Sequence, residues 1–158
     1  HKGANIGDSV WVSGTLGNAA LGYRFPKQET RLARHAWRPH LREAAALMSW
    51  GKVTAGMDIS DGLVRDCERL AEASGVGIEI KAEAIPVSPL YRREQGNDRT
   101  LALTGGEDYV LLFTTPRGQI PPLKATKIGS CVVQRGVRVD GNRLSCPGYD
   151  HFGGGLEA

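Results

Sequence analysis

The sequence predicts one α+β domain in which short strands alternate with helices. Three observations point to it. Ser9-Val10-Trp11-Val12-Ser13 and Gly77-Ile78-Glu79-Ile80 alternate with period two, the pattern of half-buried strands. Leu63, Cys67, Leu70 and Ser74 recur at helical spacing ahead of Gly75, a residue suited to a helix C-cap. The 158 residues, 41% of them hydrophobic, can build one substantial core but not two.

The remaining elements follow in order. A turn at Asn5-Ile6-Gly7-Asp8 precedes the first strand, which Gly14 closes. Ala19 to Tyr23 is expected to be a short helix, either capped by Asn18 or packed closely through its small residues, and the glycines around it match neither a P-loop nor GxGxxG. Arg31, Arg34, Arg38 and Arg42 recur at helical spacing, with His35, Trp37 and His40 interleaved. Pro39 should break that helix before the fourth arginine, so a solvated basic face is expected rather than a nucleic-acid surface. Leu41 to Trp50 is a separate helix ended by Gly51, and Val53 to Met57 a strand leading to the helix that begins at Leu63.

Ile85 to Leu90, with Pro86 and Pro89, reads as an ordered loop, and Arg92 to Arg99 as a mobile surface excursion. Thr100 to Leu103 fits a strand or the last turn of a helix equally well. Val110 to Thr114 is a continuous apolar run, hence a buried strand, followed by a loop over Pro116 to Pro122. Thr126 to Val133 and Gly136 to Val139 are strand-like, and Asp140-Gly141-Asn142 turns the chain back into Arg143-Leu144.

Twenty Lys and Arg against 17 Asp and Glu give a net charge of +3, which makes no strong case for nucleic acid or an anionic membrane. Cys67, Cys131 and Cys146 form no CxxC pair, and His1, His35, His40 and His151 lack zinc-ligand spacing. No apolar run approaches membrane-spanning length and no leader opens the chain, so a soluble protein of the reducing cytoplasm is expected. The start at His1-Lys2-Gly3-Ala4 lacks an initiator methionine and enters a strand almost at once. It reads as a cut inside a longer protein, with a trimmed tag as the competing explanation.

The densest chemistry lies at Asp58-Ile59-Ser60-Asp61-Gly62, between a strand and a helix. Two readings stand. Ser60 or Asp61 makes a good helix N-cap, which needs only one acid. Alternatively Asp58 and Asp61 share a hard cation, Mg2+ by preference, with water and phosphate completing an all-oxygen shell. Gly105-Gly106-Glu107-Asp108 is either a tight turn with a solvated acid or a close backbone approach to a ligand whose amine or N–H the carboxylate accepts. Tyr149, beside His151 and Phe152, either stacks on a flat ligand or pins the tail to the core. Cys67 is simply a small core residue.

These segments together carry a resemblance. Met57-Asp58-Ile59-Ser60-Asp61-Gly62-Leu63, Ala73 to Gly77, Ile85-Pro86, Leu103-Thr104-Gly105-Gly106-Glu107-Asp108-Tyr109 through Thr114, and Gly148-Tyr149-Asp150-His151-Phe152 resemble the thiamine-monophosphate kinase family. Gly3-Ala4 through Gly7-Asp8 and Val12 to Gly17 fit the same family, so the match runs along nearly the whole chain in order. It covers only the family's C-terminal half.

The resemblance implies a mixed β-sheet flanked by helices, like the C-terminal domain of the aminoimidazole ribonucleotide synthetase superfamily. Residues 1–158 would then be one domain of a two-domain kinase whose N-terminal ATP- and Mg2+-binding domain lies outside this chain. It implies transfer of the γ-phosphoryl group of ATP to thiamine monophosphate, with Asp58 and Asp61 as magnesium ligands, Ser60 touching ATP, and Glu107 and Tyr149 touching substrate. A homodimer is implied for the full-length enzyme. An arginine that binds ATP in the family would fall at His1, a departure from the pattern. The competing readings are a stand-alone nucleotide- or thiamine-binding module and another ATP-dependent enzyme of the superfamily.

Overall fold

The computed structural model describes residues 2–36 and 38–144. Along them run β1 (Ser9–Val12), α1 (Asn18–Arg24), α2 (Gln28–Arg34), α3 (Leu41–Trp50), β2 (Ala55–Asp58), α4 (Leu63–Ser74) and β3 (Gly77–Ile80). A 3-10 turn (Ala82–Ala84) then leads to α5 (Pro89–Gln95), α6 (Thr100–Thr104), β4 (Leu111–Thr115), β5 (Thr126–Val132), β6 (Gly136–Val139) and β7 (Asn142–Arg143). The seven strands form one sheet in the order β2-β4-β1-β5-β3-β6-β7. Only β3 and β6 pair in parallel; the other neighbours are antiparallel. The expected mixed sheet flanked by helices is the observed architecture.

The helix α4 packs against β2, β3 and β6 and so ties the β2 edge to the far half of the sheet. Its inner stripe is Leu63, Val64, Cys67 and Leu70, each wholly buried against the core that includes Ile78, Ile80, Leu112 and Val137. Each such aliphatic side chain contributes about 1.5–3 kcal/mol of transfer free energy. Burial pushes the Cys67 thiol far up, which suits a packing residue and not a nucleophile. Gly75 ends the helix in the left-handed conformation that a C-cap requires.

Four expectations need correction. The N-cap of α1 is Gly17, not Asn18; the Asn18 amide oxygen instead accepts a hydrogen bond from Ser88 Oγ at 2.6 Å. The strand expected over Val53 to Met57 begins at Ala55 and ends on Asp58. The loop expected through Leu90 ends earlier, because Ser88 caps α5 by accepting from the Tyr91 N–H at 3.0 Å and Pro89 occupies the first helical position, where its missing donor costs nothing. Arg92 to Gln95 therefore belong to α5, and Arg99 is buried, its guanidinium donating to the Gly96 carbonyl at 3.1 Å.

The ambiguous Thr100 to Leu103 run is helical, and Asp98 supports its start by accepting from the Thr100 N–H at 2.8 Å. The arginine row is broken as expected, although earlier than Pro39, since α2 ends at Arg34. Arg34 lies over the Tyr23 ring, and Arg38 pairs with Glu43 at 2.9 Å. Among the described residues no helix is long and apolar enough to cross a membrane.

Candidate functional site

The strand β2 delivers Asp58 to the sheet edge, opposite Leu111 of β4. Ile59 then anchors the following loop: its side chain is wholly buried, its N–H donates to Val110 at 2.8 Å, and its carbonyl accepts from Tyr109 at 2.8 Å. Ser60 is half-buried, whereas Asp58 and Asp61 are exposed. Neither Ser60 nor Asp61 caps α4. Its N-cap is Gly62, which has no side-chain cap.

The loop is held instead from inside the helix. Asp66 is wholly buried, and its Oδ2 accepts the N–H groups of both Ser60 and Asp61 at 3.0 Å. Its Oδ1 accepts from Arg69 Nη1 at 3.0 Å, and the same nitrogen lies 2.5 Å from Asp61 Oδ2. Burial pushes the Asp66 carboxyl up, while the two N–H donors and Arg69 oppose that shift. Asp66 was not recognisable from the sequence, where it falls among the polar residues of α4.

A second segment docks onto this loop. The Glu107 N–H donates to the Ser60 carbonyl at 2.9 Å. A Cβ on Gly106 would lie 2.5 Å from that same carbonyl oxygen, and one on Gly62 2.8 Å from the Thr104 carbonyl oxygen, so the close approach requires both glycines. Glu107 and Tyr109 adopt left-handed φ values of 66° and 51°, which turns the Glu107 side chain outward and Asp108 inward. Asp108 Oδ2 accepts the Gly17 N–H at 2.8 Å, closing the start of α1, and burial raises its carboxyl to about 6 against hydrogen bonds from Gly17, Ala19 and Asn18.

Two concavities flank the loop. Glu107 and Asp108 line a cleft of about 350 Å³ with Ser13, Arg34, His40 and Lys124. In its wall Ser13 Oγ accepts the Leu111 N–H at 2.9 Å and lies 2.9 Å from His40 Nδ1. Asp58 opens instead onto an apolar groove of about 620 Å³ between α3 and the β2 edge, lined by Met48, Val53, Met57 and Phe113. Ser60, Asp61 and Glu107 thus sit on two hydrogen-bonded turns with Asp58 beside them at the end of β2, but Asp58 and Glu107 face different hollows. Tyr149 lies outside the described residues.

The donor set suits a hard cation. The Asp58 side chain makes no hydrogen bond or ion pair with another described residue, and the Asp61 carboxylate already attracts a cationic group. Among the described residues no three His, Cys, Asp or Glu side chains gather into a metal cluster, so a cation here would take its other ligands from water, phosphate or residues outside this set.

Comparisons with known proteins identify the family to which this fold belongs. Residues 5–118 match the family model for AIR synthase related protein, C-terminal domain. The thiamine-monophosphate kinase of Aquifex aeolicus is 42% identical over 166 residues, a match covering 96% of this chain and 54% of that protein. The crystal structure of thiamine-monophosphate kinase from Stenotrophomonas maltophilia K279a superposes with a TM-score of 0.82 at 31% identity, covering 90% of this chain and 53% of that one. The structure of AaThiL complexed with AMPPCP and TMP gives 0.81 at 41% identity, covering 96% and 53%. The chain spans about half the length of these relatives. With more than half its residues matched by the family model and the same fold in these kinases, the chain belongs to the AIR synthase related family, as its C-terminal domain.

Proposed function

We propose that this chain is the C-terminal half of a thiamine-monophosphate kinase, which transfers the γ-phosphoryl group of ATP to the terminal phosphate of thiamine monophosphate, giving thiamine diphosphate and ADP. The observation that carries this reading is the docking of the Glu107 turn onto the Ser60 loop, in a chain similar over nearly its whole length to such kinases. The N-terminal domain, a homodimer of the full-length enzyme and a cytoplasmic location belong to the same proposal.

Asp58 and Asp61 would hold Mg2+, which supplies charge to screen two polyanionic substrates from each other. Asp66 keeps Asp61 at the head of α4 by fixing the loop N–H groups, so the carboxylates are positioned before substrate arrives. Ser60 is the residue proposed to touch ATP. Glu107, turned outward by its left-handed backbone, presents a carboxylate to the cationic thiamine portion at the mouth of the cleft, and Tyr149 supplies a face for stacking. Little covalent chemistry is asked of the protein; positioning and charge do the work.

The test is chromatographic detection of thiamine diphosphate from ATP, thiamine monophosphate and Mg2+. The polypeptide that includes the coding sequence upstream of His1 should form it, and residues 1–158 alone should not. Absence of product from the longer polypeptide contradicts the proposal, and robust turnover by residues 1–158 contradicts the need for a second domain.

A further inference from the structure

Arg69 of α4 pairs with two carboxylates at once, one buried and one exposed. Asp66 Oδ2 takes both loop N–H groups, which leaves Oδ1 for a cationic partner. Arg69 Nη1 fills that place and also reaches the loop, bridging Asp66 Oδ1 and Asp61 Oδ2 at 3.0 Å and 2.5 Å. The Arg69 side chain is 45% exposed and that of Asp61 37%, so the pair stands in reach of solvent ions, while the Asp66 carboxylate behind it is wholly buried. The guanidinium is therefore anchored on one side and open on the other.

We infer that Arg69 is a resident counter-ion for Asp61, occupying the carboxylate in the metal-free protein and yielding it when a divalent cation arrives. The inference rests on the reading of Asp58 and Asp61 as cation ligands. Asp61 Oδ2 cannot serve the guanidinium and a divalent cation at full strength together, because both want the same lone pairs and repel one another. Arg69 removes one unit of negative charge from the surroundings of Asp61. That weakens binding of a lone cation and favours a cation that arrives with its phosphate. Arg69, held by Asp66, is then free to turn its open side to that phosphate. Arg69 is thus a positioning residue that tunes cation affinity.

The probe is Mn2+ alone, titrated into the 158-residue chain and followed by electron paramagnetic resonance of the free ion. Arg69→Gln should tighten Mn2+ binding by roughly 3- to 10-fold, as expected for removing one unit charge near the ion in a partly solvated site. Arg69→Lys should restore wild-type affinity, and Asp61→Asn in the Arg69→Gln background should abolish the gain. Wild-type or weaker binding by Arg69→Gln, with binding still lost in Asp58→Asn and Asp61→Asn, overturns the inference and leaves the ligand assignment standing. Mn2+ binding indifferent to both aspartates overturns the assignment and the inference together. Should Arg69→Gln not fold, the wild-type chain decides: Mg2+ should shift the Arg69 Nε–H resonance in a proton–nitrogen correlation spectrum, and an unmoved resonance at saturation overturns the inference.

Discussion

The Glu107 N–H donates to the Ser60 carbonyl at 2.9 Å, joining two turns that lie far apart in the chain. The approach leaves no room for a side chain at Gly106, whose Cβ would stand 2.5 Å from the same oxygen and 3.3 Å from the Asp61 backbone. Gly106→Ala should therefore destabilise the protein by about 1–3 kcal/mol through backbone displacement. Urea unfolding monitored by tryptophan fluorescence checks it, and an unchanged midpoint would show that the turns separate freely.

Asp66 carries the loop on one buried carboxylate. Asp66→Ala strands the Ser60 and Asp61 N–H groups and should cost about 2–4 kcal/mol. Asp66→Asn, which keeps one acceptor oxygen, should cost less. Equal losses in the two variants would mean that the acceptor role is not what stabilises the loop.

Asp108 makes the stability of the fold depend on pH in an unusual direction. Its carboxyl titrates at about 6 in the folded protein against 3.8 for the ordinary group, with burial the principal cause. Between those values the folded state binds the extra proton, so this group's contribution is fully present at low pH and declines as pH rises from about 4 to about 6. The decline should be on the order of 2–3 kcal/mol. Asp108→Asn removes the titration, so the stability difference between the variant and the wild type should shift in the variant's favour across that window. A difference independent of pH from 4 to 7 would contradict the raised titration of the buried Asp108 carboxyl.

The strand-turn-helix at Asp58 was legible because its signals are local: an apolar run, a glycine, then a 3.6-residue stripe from Leu63 to Ser74. The buried acids were not, since each acts on backbone that its own local pattern does not reveal. Asp66 falls among the polar residues of α4 by spacing, yet the loop folds back over it. Asp108 caps a helix start 91 residues away, and the sequence drew attention to its neighbour Glu107 instead. The helix α5 was missed although its signal was present. Ser88-Pro89 is a cap followed by a proline at the first helical position, and reading Pro89 only as a lost donor concealed it. The capping explanation of Ser60 and Asp61, open on sequence grounds, gives way to Gly62 at the cap and Asp66 beneath the loop.

The Asp58 side chain is exposed and makes no hydrogen bond or ion pair with another described residue, so replacing its charge should leave the packing of those residues intact. The decisive measurement compares Asp58→Asn with wild type in the full-length enzyme, recording both turnover of thiamine monophosphate at saturating Mg2+ and the urea midpoint. The expected result is a fall in turnover of about 100-fold or more, the loss of roughly 3 kcal/mol of transition-state stabilisation, with stability changed by less than about 0.5 kcal/mol. Unchanged turnover at saturating Mg2+ would contradict the assignment of Asp58 to the cation and phosphate chemistry of this site.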